Sequence, residues 1–574
     1  MSEKLNSQNS AEPNSNLDTG SAKPFMIMTL LFSVVVNLLM LVSPLYMLQV
    51  YDRVLSSGSI ETLIMVSIAA IGLLSIYGFA ESARRKVLAL FSEKIHEDYG
   101  PVVFKQSFRD QNASHSLPKN LANLSTVQNF LRHGLLLPFF DLPFTPLFIF
   151  AMFLVHPIIG WIGVIGGIAL ILITIITELT SRKSVDEALK SENITSNYAS
   201  EISRKRSIIT SLGMMDPLLS RWMKYKQKSS EMTLTDLGRT TFFSSQAKGL
   251  RQMLQIAALG IGGYLVLQTE MSAGAIIAGS ILMGRALAPI DQAVGAWRQL
   301  VRARKAWSSI KQVASKSGEL SKVITPMQRP AAELSVEGLT IAIPGTDTAL
   351  LPKFNVKLKG GSSIAILGPS GSGKTSLLQT LVGAWEPLDG HVRLGGRDIH
   401  AWEAHDRGQY VGYAPQNIEL LPGTIAENIC RFSNAAPDDI MAAAQQAGFH
   451  DAILRLPKGY DTPVGTGGTH LSQGQRKGIG LSRAVFGNPV LLILDEPGSN
   501  LDRLSLTNFQ RGLADLKSAG SMIFFATHDV RFLNLADHII LLDNRSLKMV
   551  SAKDYLETLS RAHSPRPHSS SEVV

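Results

Sequence analysis

Apolar residues occur in long stretches in the first half of the chain and in short ones in the second half. A helix needs about 20 apolar residues to cross the ~30 Å hydrocarbon core of a bilayer. Six stretches meet this requirement with a few polar interruptions: 26–50, 61–80, 135–155, 157–178, 253–269 and 273–290. The pattern predicts an all-α transmembrane domain of six helices over residues 25–310.

The pattern changes near residue 330, and this change marks a second domain. Over residues 331–560, short apolar runs alternate with helix-forming segments, which is typical of an α/β domain. The polar segment 311–330 is expected to link the two domains. The terminal segments 1–24 and 561–574 are polar and rich in Ser, and we expect disordered tails there.

Lys and Arg are distributed unevenly between the segments that connect the six apolar stretches. Two long connections, 82–134 and 182–252, carry eight and thirteen of them, whereas the three short connections together carry only Arg53. Positively charged loops stay on the cytoplasmic side of a membrane. We therefore expect the long connections, both termini and the second domain to be cytoplasmic.

Overall charge and cysteine content exclude several other classes of protein. The net charge of +9 does not indicate nucleic-acid binding, because the basic residues lie mostly between apolar runs and form no stripe with aromatic residues. The single cysteine, Cys430, excludes an intramolecular disulfide and a multi-cysteine metal site. We expect the protein to contact membrane lipids and no nucleic acid.

Asp141 and Arg285 are charged residues inside the predicted membrane helices, where such groups usually have a function. Asp141 either lines a translocation path or caps a helix interrupted by Pro143 and Pro146. Arg285 either faces a water-filled pore or extends to the cytoplasmic surface. The sequence leaves both pairs of alternatives open.

A glycine-rich segment follows the apolar run 363–367 directly. Residues 368–375 read GPSGSGKT and precede a helix-forming run, which is the P-loop pattern. Backbone N–H groups of such a loop surround phosphates at a helix N-terminus, where the helix dipole favours anions. Lys374 is expected to reach the β- and γ-phosphates, and the Thr375 hydroxyl to bind Mg²⁺. The predicted ATP-binding residues of the loop are Gly368, Pro369, Ser370, Gly371, Ser372, Gly373, Lys374 and Thr375.

Two adjacent carboxylates end another apolar run. Residues 490–494 are VLLIL, and Asp495 and Glu496 follow them. A carboxylate at a strand end can hold Mg²⁺, and the next can act as general base toward the attacking water. We therefore expect Asp495 to be a metal ligand and Glu496 to be the catalytic base. The alternative, that Asp495 and Glu496 are only surface acids after a core strand, fits poorly because the preceding apolar run has no polar face.

Further segments resemble the motifs of ABC transporters. Residues 471–475, LSQGQ, resemble the signature sequence LSGGQ, which closes over ATP held by the other subunit of a dimer. The resemblance implies ATP contacts from Ser472, Gln473, Gly474 and Gln475. Together with the P-loop and the two carboxylates, this implies an α/β P-loop ABC nucleotide-binding domain after the six membrane helices.

Three more positions complete the resemblance to ABC ATPases. Gln416 resembles the loop glutamine that senses Mg²⁺, and Asp502 lies in a segment resembling the loop that crosses the dimer interface. His528 resembles the switch histidine at the γ-phosphate. The implied catalytic residues are Glu496, His528 and Gln416, and the implied Mg²⁺ ligands are Thr375, Gln416 and Asp495.

Two departures from the ABC pattern bear on ATP binding. Gln473 replaces the first signature glycine, but Ser472 and Gly474 remain, so activity is expected to survive. Ile343 stands where many relatives place an aromatic residue against adenine. We therefore expect weak discrimination between ATP and GTP, which a competition assay measures.

Five segments resemble the type I secretion ABC transporters: 43–55, 141–144, 280–290, 423–429 and 454–462. The resemblance covers about residues 25–560. Only 24 residues precede the first predicted membrane helix, too few for the N-terminal peptidase-like domain of the larger subgroups. The chain therefore resembles the short, PrtD-like subgroup, which exports proteases, lipases and glycine-rich repeat proteins.

This resemblance implies an ATP-hydrolysing exporter in the bacterial inner membrane. It implies a homodimer with two composite ATP sites, both competent in hydrolysis. The implied partners are a periplasmic membrane-fusion adaptor and a TolC-like outer-membrane channel. The implied cargo is an unfolded polypeptide with an uncleaved C-terminal signal.

Two other functions remain open on sequence grounds. An exporter of lipid or small hydrophobic molecules would have the same architecture, and stimulation of turnover by lipid instead of a polypeptide tail would favour it. An ATP-gated channel or regulatory subunit need not hydrolyse ATP. Glu496 and His528 argue against that second function, because a gate of this kind can lose either residue.

Overall fold

A computed structural model of the protein describes residues 22–109, 113–318, 328–343, 348–543 and 546–563. The chain divides into two compact units, Met1–Val323 and Ile324–Val574. Parts of the predicted segments 1–24, 311–330 and 561–574 lie outside the described residues, and the domain boundaries stay predictions. Residues 311–318 of the predicted linker are helical.

The described part of the first unit is almost entirely helical. Its α-helices are α1 (Ala22–Leu39), α2 (Val42–Gln49), α3 (Leu55–Ser57), α4 (Ile60–Arg109), α5 (Ala113–Arg132), α6 (Leu137–Asp141), α7 (Thr145–Val155), α8 (Pro157–Arg204), α9 (Arg206–Ser211), α10 (Met215–Leu267) and α11 (Ala273–Gly318). A π-helical turn, Val50–Val54, joins α2 to α3, and a 3₁₀ turn, Leu142–Phe144, joins α6 to α7. The turn between α7 and α8 is tight, because His156 is extended and its Nδ1 accepts the Ile158 N–H at 3.3 Å.

Six helical stretches among the described residues are long and apolar enough to cross a membrane, and they confirm the predicted number. They are Lys23–Ser57, Ile60–Phe108, Leu137–Val155, Pro157–Thr177, Met215–Leu267 and Ala273–Ser315. Helices α4, α8, α10 and α11 have 50, 48, 53 and 46 residues. At a rise of 1.5 Å per residue they are roughly 70–80 Å long, more than twice the ~30 Å of the hydrocarbon core. A large part of each helix therefore extends beyond the bilayer.

Glycines allow the membrane-domain helices to approach closely. A Cβ added at Gly163 of α8 would lie 2.3 Å from the Met152 side chain of α7, and one at Gly166 would lie 2.5 Å from Leu254 of α10. Met152 and Met283 are fully buried in the cluster that these helices form with α11. Association of helices in lipid depends on such van der Waals packing, so these two glycines set the spacing of α7, α8 and α10.

Asp141 is paired with a buried arginine. Its carboxylate lies 2.5 Å from Nη1 of Arg84 and accepts the Asn37 amide N–H at 2.9 Å, and Arg84 is 3% exposed. Within the described residues, the Asp141 side chain makes no capping hydrogen bond to the 3₁₀ turn after it, so the capping alternative is wrong. The pair joins α1, α4 and α6. Arg285 is exposed on α11, and its two alternatives stay predictions.

Two sheets form the framework of the second unit. The first is antiparallel with strand order β2-β1-β4-β5, where the strands are β1 (Glu333–Ala342), β2 (Ala349–Lys359), β4 (Asp389–Leu394) and β5 (Arg397–Asp398). The second has the order β10-β9-β3-β8-β7-β6, where the strands are β3 (Ser363–Leu367), β6 (Val411–Ala414), β7 (Leu491–Asp495), β8 (Met522–Ala526), β9 (His538–Asp543) and β10 (Ser546–Ser551). Strands β9, β3, β8, β7 and β6 are mutually parallel, and β10 is antiparallel to β9.

Helices lie between the strands of this unit along the chain, and one more follows the last strand. They are α12 (Lys374–Leu381), α13 (Ala404–Tyr410), α14 (Ile425–Ile429), α15 (Pro437–Gln446), α16 (His450–Leu454), α17 (Gln473–Val485), α18 (Arg503–Ser518), α19 (Val530–Leu533) and α20 (Ala552–His563). Strands β7 and β8 are buried along their whole length, as the continuous apolar runs predict for parallel strands. The carboxyl ends of β3, β7 and β8 meet at one edge of the sheet, the edge at which such folds bind ligands.

Candidate functional site

The P-loop connects β3 to α12 in a conformation that depends on glycine. Gly373 has φ 94° and stands immediately before α12, where a side chain is disfavoured. A Cβ at Gly368 would lie 2.5 Å from the carbonyl oxygen of Leu542 on β9. The loop therefore lies tightly against the sheet and leads directly into the N-terminus of a helix, the arrangement that suits phosphate.

Lys374 is the first residue of α12, and its side chain folds back onto the P-loop. Its Nζ donates to the carbonyl oxygens of Gly368 at 2.6 Å and Pro369 at 3.0 Å, and the residue is 8% exposed. Burial lowers the pKa of Lys374, and the nearby carboxylates of Glu496 and Asp495 oppose that shift. Its ammonium group is thus a cation at the predicted phosphate position, beside the carboxylates at the end of β7.

Thr375 and Asp495 meet at the predicted metal position. The Thr375 hydroxyl donates to Asp495 Oδ2 at 2.8 Å, and Asp495 is 2% exposed. Burial raises the pKa of Asp495, while the Thr375 hydrogen bond opposes the increase. A hydroxyl and a carboxylate are oxygen ligands of the kind that Mg²⁺ prefers. The side chains present therefore fit Mg²⁺.

Glu496 follows β7 with a backbone geometry that is unusual for a residue with a side chain. Its φ is 46°, and its N–H donates to the Ala526 carbonyl at the end of β8 at 2.9 Å. The carboxylate lies 3.8 Å from Nε2 of His528. Non-glycine residues held at positive φ cluster at functional sites, and here such a residue places its carboxylate beside His528.

A cavity of about 270 Å³ opens beside this pair of side chains. It is lined by Glu496, Gly498, Ser499, Thr527, His528 and Asp529. His528 is exposed, and the loop that carries it is braced by the Asp529 N–H, which donates to the Thr527 hydroxyl at 3.0 Å. A carboxylate and an imidazole thus border an open cleft next to the P-loop strand.

The signature residues form the start of α17. The Ser472 hydroxyl accepts the Gln475 N–H at 3.2 Å, and the Gln475 side chain accepts the Ser472 N–H at 2.9 Å. This reciprocal capping box stabilises the helix N-terminus. Gln473 is exposed, and a Cβ at Gly474 would lie 3.3 Å from the Asn500 carbonyl oxygen.

Gln416 and Asp502 lie on surface loops of the second unit. Gln416 is exposed in the loop after β6. Asp502 caps α18 by accepting the Ser505 N–H at 2.7 Å, and this hydrogen bond lowers the pKa of Asp502.

The structure thus brings together Lys374, Thr375, Asp495, Glu496 and His528. Sequence reasoning missed Lys477, which is buried near Gln416 and Asp495; its position just after the signature was the only signal for it.

Comparisons with known proteins agree with this architecture. The family model of the ABC transporter transmembrane region matches residues 26–288, and the ABC transporter model matches residues 351–499. The solved structure of a bacterial Atm1-family ABC exporter with ATP bound covers 97% of this chain and 100% of that chain, with a TM-score of 0.80 and 18% identity. At that identity the likeness shows the fold, and it confirms the predicted fold class.

Two relatives identify a narrower group within the ABC transporters. The type I secretion system ATP-binding protein PrsD of Rhizobium meliloti is 34% identical over 91% of this chain and 90% of its own length. The leukotoxin export ATP-binding protein LtxB of Aggregatibacter actinomycetemcomitans is 24% identical over 91% of this chain and 74% of its own length. The predicted resemblance is confirmed, and the chain is a multi-pass membrane protein with an ABC ATPase domain. It belongs to the type I secretion ATP-binding proteins of the ABC transporter family.

Proposed function

We propose that two copies of this chain form an inner-membrane exporter that hydrolyses ATP to move unfolded polypeptides with a C-terminal signal out of the cytoplasm. The observation that carries this proposal is the meeting of Lys374, Thr375, Asp495, Glu496 and His528 at one sheet edge, in a chain that also has six candidate membrane spans. Such a chain is half of a transporter with two ATP sites.

The nucleotide side of the site is formed by the P-loop. Backbone N–H groups of residues 368–375 and the Lys374 ammonium would bind the phosphates, because both present positive charge at the start of α12. Thr375, Asp495 and Gln416 would hold Mg²⁺, which when bound neutralises charge on the β- and γ-phosphates. The Thr375–Asp495 hydrogen bond of 2.8 Å keeps the two oxygens together in a geometry that can accept a cation.

The hydrolytic step is assigned to Glu496 and His528. Glu496 stands at the mouth of the cleft, where its carboxylate can accept a proton from the attacking water. His528, 3.8 Å from that carboxylate, can orient Glu496 and donate a hydrogen bond to the γ-phosphate. The hydrogen bond from the Glu496 N–H to the Ala526 carbonyl holds the backbone of this residue in place beside His528.

The signature residues are assigned to the ATP site of the other subunit. Ser472 and Gln475 cap α17 and present Gln473 at the surface, so the helix N-terminus can face a phosphate brought by a second copy. Asp502 caps α18 in the adjacent loop. Two composite sites would therefore form only in a homodimer.

The location and the partners follow from charge and family. The basic long connections support a cytoplasmic ATPase domain and cytoplasmic termini by the positive-inside rule, and the bacterial inner membrane is the compartment that fits this orientation. A periplasmic membrane-fusion adaptor and a TolC-like outer-membrane channel would continue the export path. PrsD, a protein of a type I secretion system, supports this over export of lipid or small hydrophobic molecules.

Mixed dimers test the composite sites. Both subunits carry Glu496→Gln to retain bound ATP, and two affinity tags allow the mixed species to be purified. In one dimer, Lys374→Ala is in one subunit and Ser472→Arg in the other. In the matched dimer, both substitutions are in the same subunit and the partner has neither.

The two arrangements have opposite expected results. If the sites are composite, the first dimer has one intact site and retains labelled ATP after gel filtration, whereas the matched dimer has a defect at each site and loses it. If each chain forms its own site, only the matched dimer retains ATP. The second result would contradict the proposed dimer.

A further inference from the structure

Lys477 is a buried lysine in the ATPase domain. It is 3% exposed and lies on α17, five residues after the signature serine Ser472. A lysine is rarely buried unless its charge is paired, because removing an ammonium group from water is costly. Its surroundings therefore indicate what the charge does.

The Lys477 ammonium lies between two loops of the candidate ATP site. Nζ is 3.5 Å from the carbonyl oxygen of Gln416 and 3.5 Å from the carbonyl oxygen of Asp495. Gln416 follows β6, and Asp495 ends β7, the neighbouring parallel strand. One side chain of the signature helix therefore contacts the backbone of two proposed Mg²⁺ ligands.

Burial and two nearby carboxylates act on the Lys477 ammonium group in opposite directions. Burial lowers the pKa of Lys477 to about 8, and the Asp495 and Glu496 carboxylates oppose the shift. The ammonium thus contributes positive charge to the same carboxylate pair that Lys374 approaches from the P-loop. A neutral side chain of equal length would remove both the charge and the two carbonyl contacts.

Helix α17 packs closely against neighbouring segments of the domain. A Cβ at Gly478 would lie 2.0 Å from the Phe449 ring, and one at Gly480 would lie 2.6 Å from Ile418. The capping box fixes the N-terminus of the same helix. The Lys477 contacts therefore join a closely packed helix to the backbone of Gln416 and Asp495.

We propose that Lys477 is a positioning residue that ties the signature helix to the magnesium side of the ATP site in its own chain. The signature of each subunit faces the partner's ATP, so Lys477 links one composite site to the other. This inference rests on the proposed Mg²⁺ roles of Gln416 and Asp495.

The test measures cation binding directly, using the full-length protein in nanodiscs. Mn²⁺ is titrated against the ATP-loaded Glu496→Gln protein, and free Mn²⁺ is measured by electron paramagnetic resonance. Lys477→Met removes the charge at nearly constant length, and Lys477→Gln keeps one N–H donor. ATP affinity is measured separately with a fluorescent ATP analogue in EDTA.

A matched lysine provides the control. Lys517 Nζ likewise donates to a backbone carbonyl, that of Leu535 at 3.1 Å, and in addition pairs with the Asp537 carboxylate at 2.7 Å. Asp537 accepts the N–H of Ser363 at the amino end of β3, opposite the P-loop. Lys517→Met should therefore leave Mn²⁺ binding unchanged, although it also removes a paired lysine.

Lys477→Met should weaken Mn²⁺ binding about tenfold, the usual effect of losing a group that orients a metal ligand, with ATP affinity in EDTA unchanged. Lys477→Gln should have an intermediate effect. Unchanged Mn²⁺ binding, or failure of both variants to fold, would assign Lys477 to stability alone and overturn the proposal. Tighter Mn²⁺ binding would also overturn it, since that result indicates simple repulsion between the ammonium and the cation.

Asp495→Asn separates this inference from the proposed function. It should weaken Mn²⁺ binding whether or not Lys477 acts as proposed. If Asp495→Asn leaves Mn²⁺ binding unchanged, the assignment of the metal ligands fails. If only the Lys477 variants have no effect, the ligand assignment stands and the positioning role fails.

Discussion

Substitution of Arg84 tests the buried ion pair that joins three helices of the membrane domain. The Arg84 side chain is 4% exposed and that of Asp141 is 13% exposed, with 2.5 Å between Nη1 and the carboxylate. Arg84 also pairs with Glu81 at 2.6 Å and donates to Ser33 Oγ at 3.2 Å. Arg84→Met therefore leaves the Asp141 carboxylate without its cation at a position shielded from water, whereas Glu81 keeps its pair with Arg85.

The expected loss depends on which partner is removed. Removing one partner of a buried pair typically costs about 3–5 kcal/mol of unfolding free energy, and this applies to Arg84→Met. Asp141→Asn should cost less, about 1–3 kcal/mol, because Glu81 still pairs with Arg84 and the amide can accept the Asn37 N–H. The double variant should lose less than the sum, with a coupling energy of roughly 0.5–3 kcal/mol.

The assay is reversible unfolding of the purified protein in detergent, followed by circular dichroism. Arg85→Met is the matched control, because Arg85 is the next residue on α4 and pairs with the same Glu81, but its side chain is 64% exposed. It should change stability by less than about 0.5 kcal/mol. The reasoning about this pair is wrong if Arg84→Met destabilises the protein no more than Arg85→Met does. It is also wrong if the losses of Arg84→Met and Asp141→Asn simply add in the double variant.

Three further substitutions have defined outcomes. Glu496→Gln should retain ATP binding and lower turnover on the order of 10²–10⁴-fold, the usual contribution of a general base; a near wild-type rate in a phosphate-release assay would exclude that role. Ile343→Tyr should strengthen ATP binding by roughly 1–3 kcal/mol through stacking on the base, measured by equilibrium titration, and an unchanged affinity would show that the adenine lies elsewhere. Gly274→Ala should lower the thermal midpoint, because its Cβ would lie 2.5 Å from Asp52 Oδ1, which accepts the Gly274 N–H at 2.9 Å. Gly263→Ala is its control, since a Cβ there meets no described atom within 4 Å, and equal midpoints for the two variants would refute the clash.

Features that depend on local sequence could be predicted. The six apolar stretches suffice to predict the membrane helices, because length and hydropathy decide whether a helix can cross a bilayer. The strand, loop and helix around Lys374 are contiguous, and an apolar run leads directly to Asp495. Their meeting follows from the rule that carboxyl ends of parallel strands share one edge, and the Thr375–Asp495 hydrogen bond of 2.8 Å agrees with it.

Features that depend on long-range pairing could not be predicted. Arg84 and Asp141 are 57 residues apart, and Arg84 lies in a polar run with the appearance of a surface segment. Lys477 also lies among polar residues, so its burial depends on how α17 packs against the sheet edge. No periodicity identifies which charged residue a tertiary contact will enclose.

The central claim is that ATP hydrolysis drives polypeptide export, and the rate of ATP hydrolysis in nanodiscs tests this coupling most directly. C-terminal fragments of secreted glycine-rich repeat proteins are added in one series and lipids in another, with Glu496→Gln as the inactive control. The account predicts a rate change specific to the polypeptide tails and absent from the Glu496→Gln protein. A response to lipid alone would contradict protein export while leaving the ABC exporter fold unaffected.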